Sequence, residues 1–218
     1  MNVEQARTNM LKQQMRTWGV LDENILQLMQ RIPRESFVPK AFRKLAYADM
    51  CIPIGHSQTM LEPKQEANIL QALQIQPTET VLEIGTGTGY FTSLLALIAK
   101  QVYSVDNVEE FTQTAQKRID NLNIQNITLC TADGHAGYLA KVPYDVIIFT
   151  GSALTLPEDL QHQLVKSNNS RVIAMLGRSP NKRVVLLTHD NNAWQEDFLF
   201  NVDVAYLTHA KQPLAFNF

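Results

Sequence analysis

With 218 residues, the chain is long enough for one α/β domain with a substantial core, or for one such domain and a small appendage. Hydrophobic residues make up 45% and charged residues 18%, the balance of an ordinary globular protein. A formal net charge of −2, with the Lys and Arg residues scattered, gives no reason to expect a nucleic acid or an anionic membrane as partner. No apolar run approaches the roughly 18 residues that a membrane span requires. The two cysteines, Cys51 and Cys130, are far apart and outside any metal-ligand spacing, so no metal site is expected. Cys130 lies in an apolar run and reads as a buried, inert thiol. Free cysteines and a polar N-terminus argue against secretion, and the expected compartment is the cytoplasm.

Taken in order, residues 3–16 are polar and helix-forming, and Trp18-Gly19-Val20 breaks the run. Asp22 is placed to cap a helix that buries Ile25, Leu28, Met29 and Ile32, and Pro33 stops it. Phe37-Val38-Pro39 reads as an extended anchor over Phe42, Leu45 and Tyr47. The turn-rich, hydroxyl-rich run 53–63 follows, a loop suited to ligand contact or to plain connection. Pro63 suits the first turn of a helix burying Ile69, Leu70 and Leu73. Residues 1–77 thus form a helical cap with a substrate-side loop, and 78–218 an α/β body, packed together as one domain.

From residue 78, strands alternate with helices, which implies a mostly parallel sheet with helices on both faces. The predicted strands are 80–84, 102–106, 127–131, 144–150 and 171–176, with helices over 90–99, 109–122 and 157–164. The tail changes character. Residues 183–188 form a strand, 190–192 a turn, and Phe198, Phe200, Val202, Val204 and Tyr206 alternate at period two, an edge hairpin of antiparallel strands.

The first of these strands runs Val81-Leu82-Glu83-Ile84 into Gly85-Thr86-Gly87-Thr88-Gly89-Tyr90. Alternate glycines let backbone approach a ligand, and the N–H groups opening the next helix face the same space. A dinucleotide fingerprint would place its third glycine one residue later, where Tyr90 stands. The arrangement (Asp/Glu)-x-Gly-x-Gly-x-Gly, with Glu83 leading, resembles the first motif of class I S-adenosylmethionine-dependent methyltransferases. In an open α/β sheet, ligands bind beyond the carboxyl ends of the strands. There Asp106 is placed to accept from ribose hydroxyls, Asp133 from an adenine amino group, and Thr150 sits beside the transfer point. Any one of these acids alone also fits a helix cap or a solvated turn. His135 follows the Asp133-Gly134 turn and is a further candidate for the adenine edge.

Over most of its length the chain resembles the protein-L-isoaspartate O-methyltransferase family. The matching stretches include Gly19 to Glu23, Ile32 to Pro39, Ala46 to Asp49, Pro53 to Gly55, Gln58-Thr59, Val81 to Tyr90, Asp133-Gly134 and Pro143 to Asp145. The resemblance implies a Rossmann-like class I methyltransferase sandwich of α/β class. It also implies methyl transfer from S-adenosyl-L-methionine to the α-carboxylate of isoaspartyl residues in damaged proteins, leaving S-adenosyl-L-homocysteine. Gln58, Thr59, Glu83, Gly85, Thr86 and Gly87 would then hold the donor together with Gly89, Asp106, Asp133, Gly134 and Thr150.

One departure stands out. Where the family pattern has serine after Gln-Thr-Ile, this chain has Leu61, whose side chain can neither donate nor accept a hydrogen bond. The family's alanines after the strand-four threonine are Gly151-Ser152 here. Ser57, Thr59 or Ser152 would have to take over the contact to the acceptor carboxylate, with Thr208 and Gln212 near it by loose spacing. Three readings stay open: an isoaspartyl methyltransferase, a relative with a rebuilt acceptor pocket, and a non-catalytic binder of the donor.

Overall fold

The computed structural model describes residues 3–165, 169–190 and 193–210. Helix α1 (Val3–Asn9) runs on through a π-helical turn (Met10–Gln14) and a 3-10 turn (Arg16–Trp18), where a single α-helix over 3–16 was expected. Met10, Leu11 and Met15 on the widened turns are all buried. Gly19 ends the run in the left-handed conformation. Helix α2 (Glu23–Arg31) starts as predicted, with the Asp22 carboxylate accepting from the Asn24 amide at 2.8 Å. Ile25, Leu26, Leu28 and Met29 form its buried stripe. Two 3-10 turns (Arg34–Ser36 and Lys40–Leu45) carry the anchor. Phe37 and Val38 are buried with Tyr47, but Leu45 is 40% exposed and belongs to the surface.

The run 53–63 is more ordered than a loop. It is a two-stranded antiparallel ribbon, β1 (Ile52–Gly55) with β2 (Gln58–Met60), turning at His56 and Ser57, both in the left-handed region. Helix α3 (Pro63–Leu73) follows, with proline in its first turn and a reciprocal capping box between Glu62 and Gln65.

The body is a seven-stranded sheet of β3 (Thr80–Ile84), β4 (Gln101–Asp106), β5 (Ile127–Thr131), β6 (Val146–Ala153), β7 (Arg171–Arg178), β8 (Asn181–Asp190) and β9 (Ala193–Val202). Its spatial order is β5-β4-β3-β6-β7-β8-β9. The first five positions are parallel, and β8 is antiparallel to both neighbours, so the predicted edge hairpin is present. Its predicted turn at 190–192 falls partly outside the described residues. The predicted alternation extends to Tyr206, but β9 ends at Val202 and the chain then folds back towards β6.

Between the strands, α4 (Tyr90–Ala96) and α5 (Glu109–Asp120) are shorter than expected. One face of the sheet packs against α3, α4 and the N-terminal segment in a continuous core that includes Met29, Phe37, Leu70, Tyr90, Leu95 and Ile148. Among the described residues, the other face is not covered by α-helices as predicted. There the 3-10 turn Glu158–Gln163, read from sequence as a helix, contributes Leu160, and Leu164 and Tyr138 join it over Leu82, Ile147 and Val172. Cys130 is only half-buried and unpaired by a disulfide, a correction to its expected burial.

Candidate functional site

The order of the parallel strands reverses between β3 and β6, and a cavity opens beyond the carboxyl ends of these strands and of β4. The β1–β2 ribbon forms one wall through Ile54, Gln58, Thr59 and Met60. The tip of the ribbon reaches across to α5, where His56 Nε2 lies 3.0 Å from Glu110 and the ring meets Phe111 edge-on at 5.2 Å. The segment after β9 forms another wall through Leu207 and Thr208. It is anchored to β6, because the Ser152 amide donates to the Ala205 carbonyl at 2.9 Å and the Leu207 amide to the Ser152 carbonyl at 2.8 Å.

The glycine loop is the floor. Thr150 braces it from β6, its hydroxyl within 2.9 Å of the Ile84 carbonyl and 2.8 Å of that of Gly85. Thr86 braces it from the other side, 2.6 Å from the Ser104 hydroxyl. Gly87 sits at φ 51°, and its amide donates to Asp106 Oδ2 at 2.9 Å. A Cβ there would meet the Ile54 methyl at 3.3 Å, so the ribbon lies directly over bare backbone. Gly89 has a different role from the one expected. At φ 82° it opens α4 facing away from the cavity, and a Cβ would lie 2.8 Å from the Ala115 Cβ of α5. It is a packing glycine.

Asp106 also accepts from the Val108 amide at 3.0 Å. Burial pushes its carboxyl up, and the amides of Gly87 and Val108 pull back against that. Asp133, also on the cavity wall, lies between two imidazoles: His135 Nδ1 at 3.0 Å and His209 Nδ1 at 2.6 Å. Its slight burial works against ionisation, but the His135 amide and these rings hold the carboxyl below its ordinary range. Gly134 and His135 line the cavity beside it.

Glu83 is completely buried beneath the loop. Its Oε2 accepts from Thr92 at 2.5 Å and Ser104 at 2.6 Å, while Oε1 is buried with no hydrogen-bond partner. Burial pushes this carboxyl up to about 8, against the pull of both hydroxyls.

Two of the proposed acceptor contacts fail. Ser57 is exposed at the ribbon's turn, off the cavity wall. Ser152 is fully buried and turned to the carbonyls of Val204 and Ala205, each 3.1 Å away. Thr59 and Thr208 do line the cavity, together with Leu61, which is 5% exposed. Gln212 lies outside the described residues.

Sequence reasoning missed one pair. Arg34 is fully buried, pairs through Nη1 with Glu66, and donates through Nη2 to the Leu61 carbonyl at 2.6 Å. Its guanidinium lies 4.9 Å from the centre of the Tyr90 ring. Glu66 lines the cavity from α3. Its position in the 66, 69, 70, 73 stripe was the available signal, since that spacing puts it on the buried face.

The cavity's donor set suits S-adenosylmethionine. Four carboxyl groups (Glu66, Glu83, Asp106 and Asp133) line it, and no Lys or Arg does among the described residues. Such a wall suits a ligand carrying positive charge and hydrogen-bond donors, and opposes a phosphorylated one. No described group of three or more His, Cys, Asp or Glu side chains is placed to hold a metal ion.

Comparison with known proteins agrees. The chain is 38% identical over 168 residues to the protein-L-isoaspartate O-methyltransferase of Aliivibrio fischeri, spanning 77% of this chain and 80% of that one. It is 34% identical over 203 residues to the enzyme of the same name from Gloeobacter violaceus, spanning 93% and 98%. Among solved structures, a Plasmodium falciparum chain reported as a candidate protein-L-isoaspartate O-methyltransferase, in complex with S-adenosyl-L-homocysteine, superposes with a TM-score of 0.78. That match covers 93% of this chain and 98% of the other at 20% identity, so it speaks for the fold. The family model for protein-L-isoaspartate(D-aspartate) O-methyltransferase matches residues 5–212, and the chain belongs to that family.

Proposed function

We infer that this protein transfers a methyl group from S-adenosylmethionine to the α-carboxylate of L-isoaspartyl residues in damaged proteins. Family membership supports the reaction. The observation that carries the reading within this chain is the glycine-floored cavity lined by carboxyl groups and, among the described residues, by no Lys or Arg.

S-adenosylmethionine, when bound, supplies a methyl group on a positively charged sulfur. Asp106 at the end of β4 and Asp133 after β5 are the groups to hold the nucleoside, and Gly85, Thr86 and Gly87 form the floor. Gln58 and Thr59 close over it from the ribbon. The acceptor needs no general base, because a carboxylate with a pKa near 4 is already ionised at neutral pH. The protein's work is alignment and exclusion of water. Ile54, Met60, Leu61, Phe91 and Leu207 make the apolar part of the wall that excludes water. Thr59 and Thr208 are the hydroxyls on that wall able to orient the acceptor oxygens.

The protein substrate is read as an exposed peptide segment. A nucleic acid would bring phosphates against an anionic wall. The cytoplasm is the proposed compartment, supported by two cysteines unpaired by a disulfide. Among the described residues, no helix is long and apolar enough to cross a membrane.

Labelled methyl transfer to an isoaspartyl peptide, beside its ordinary aspartyl twin, tests the function. Label in the isoaspartyl peptide alone is expected, and label in neither would overturn the reading. A second reading is favoured by one observation: Leu61 occupies the wall and neither Ser57 nor Ser152 replaces its missing hydroxyl. In that case the acceptor would be a less polar group, and both peptides would stay unlabelled while S-adenosylhomocysteine still binds.

A further inference from the structure

Glu66 and Glu83 meet one cavity from opposite layers, one on α3 and one on β3. Both are nearly or wholly buried. Arg34 neutralises Glu66 from behind, but among the described residues no cation is paired with Glu83, whose Oε1 has no hydrogen-bond partner there. Burial works against ionisation of each carboxyl, and the charge on Glu66 adds to the upward push on Glu83. With no Lys or Arg on the described wall, this end of the cavity has more carboxyl oxygens than donors to meet them. A ligand ammonium seated here would supply those donors.

Asp106 and Asp133 already account for the nucleoside end. The cation left over in the donor is the α-ammonium of its amino-acid portion. We propose that Glu66, held in place by Arg34, is a donor-binding residue that pairs with this α-ammonium across from Glu83. Arg34 is then a positioning residue. Its Nη1 fixes the Glu66 carboxylate, and its Nη2 fixes the Leu61 carbonyl. One guanidinium therefore sets both the donor's amino end and the wall where the acceptor must lie. The assignment rests on the donor reading above.

Calorimetric titration of three ligands into the wild-type protein and Glu66→Gln tests it. The ligands are S-adenosylhomocysteine, its analogue with hydroxyl in place of the ammonium, and 5′-methylthioadenosine, which lacks the amino-acid portion. Glu66→Gln is expected to weaken S-adenosylhomocysteine about tenfold, in line with loss of one charge-assisted contact. The other two ligands should bind both proteins within about twofold of each other.

Equal weakening of all three ligands would show a structural role, and undiminished S-adenosylhomocysteine binding would show that Glu83 holds the ammonium alone. Either result overturns the proposal. So does a wild-type protein that binds the ammonium and hydroxyl ligands equally. Should Glu66→Gln fail to fold with Arg34 left unpaired, the double variant Arg34→Met/Glu66→Met removes the charge pair together, and the same ligand pattern is expected of it. If the wild-type protein binds none of the ligands, the donor reading falls, and this assignment with it.

Discussion

The Gly87 amide donates to Asp106 Oδ2 across 2.9 Å, tying the bend of the glycine loop to the end of β4. The same carboxylate holds the Val108 amide at the entry to α5. Asp106→Ala would strip both amides of their acceptor as well as removing the proposed ribose contact. A charged hydrogen bond is worth about 1.5–3 kcal/mol, so the S-adenosylhomocysteine dissociation constant should rise at least about tenfold. Calorimetry giving an unchanged value would show that Asp106 serves the loop alone.

Gly87 and Gly89 should separate binding from stability. Gly89→Ala drives a Cβ towards Ala115 and holds alanine at φ 82°, away from the cavity. Strain of this kind costs on the order of 1–3 kcal/mol, so the melting temperature should fall with ligand affinity kept in the folded fraction. Gly87→Ala projects instead from the cavity floor towards Ile54. Its main effect should be weaker S-adenosylhomocysteine binding. Indistinguishable profiles for the two variants would refute the division.

Leu61→Ser restores a hydroxyl to the acceptor wall. We expect kcat/KM on an isoaspartyl peptide to rise roughly tenfold, the lower value of one hydrogen bond to a charged group. Because Leu61 is only 5% exposed, the same change should lower stability, by about 2–5 kcal/mol if it behaves like other large-to-small core substitutions. Higher activity with a lower melting temperature is the signature. Activity unchanged or reduced would mean that Thr59 or Thr208 already meets the acceptor.

Ser152→Ala removes a hydroxyl lying 3.1 Å from the carbonyls of Val204 and Ala205. The loss should be about 1 kcal/mol of stability. The loosened segment carries Leu207 and Thr208, so KM for the peptide should rise while donor affinity holds. A fall in donor affinity of equal size would contradict the placement of this segment on the acceptor side.

Glu83 gives a pH dependence of definite sign. Its carboxyl is raised to about 8 in the folded protein from an ordinary value near 4.5. Between those values the folded state keeps a proton that the unfolded chain has released, so this group makes stability fall as pH rises from about 4.5 to 8. Glu83→Gln should remove that slope. Urea midpoints at pH 5, 6.5 and 8, on both proteins, would check it; parallel curves would mean the carboxyl stays ionised throughout.

Much of this molecule is local and so was readable from residue types. Asp22 as a cap, Pro63 in a first turn, the alternation of strand and helix, and the glycine bend after Glu83 all depend on neighbours a few positions away. Side-chain period and backbone sterics act over that range, and they also placed Asp106 and Asp133 at strand ends. Partnership across the fold was not readable. Whether Gly89 faces a ligand or Ala115, whether Ser152 faces an acceptor or Val204, and whether Glu66 is solvated or bound to Arg34 depends on elements brought together from distant parts of the chain. Burial alters the chemistry of such groups, because a carboxyl taken from water must find a partner or hold a proton, and only the packed structure decides which.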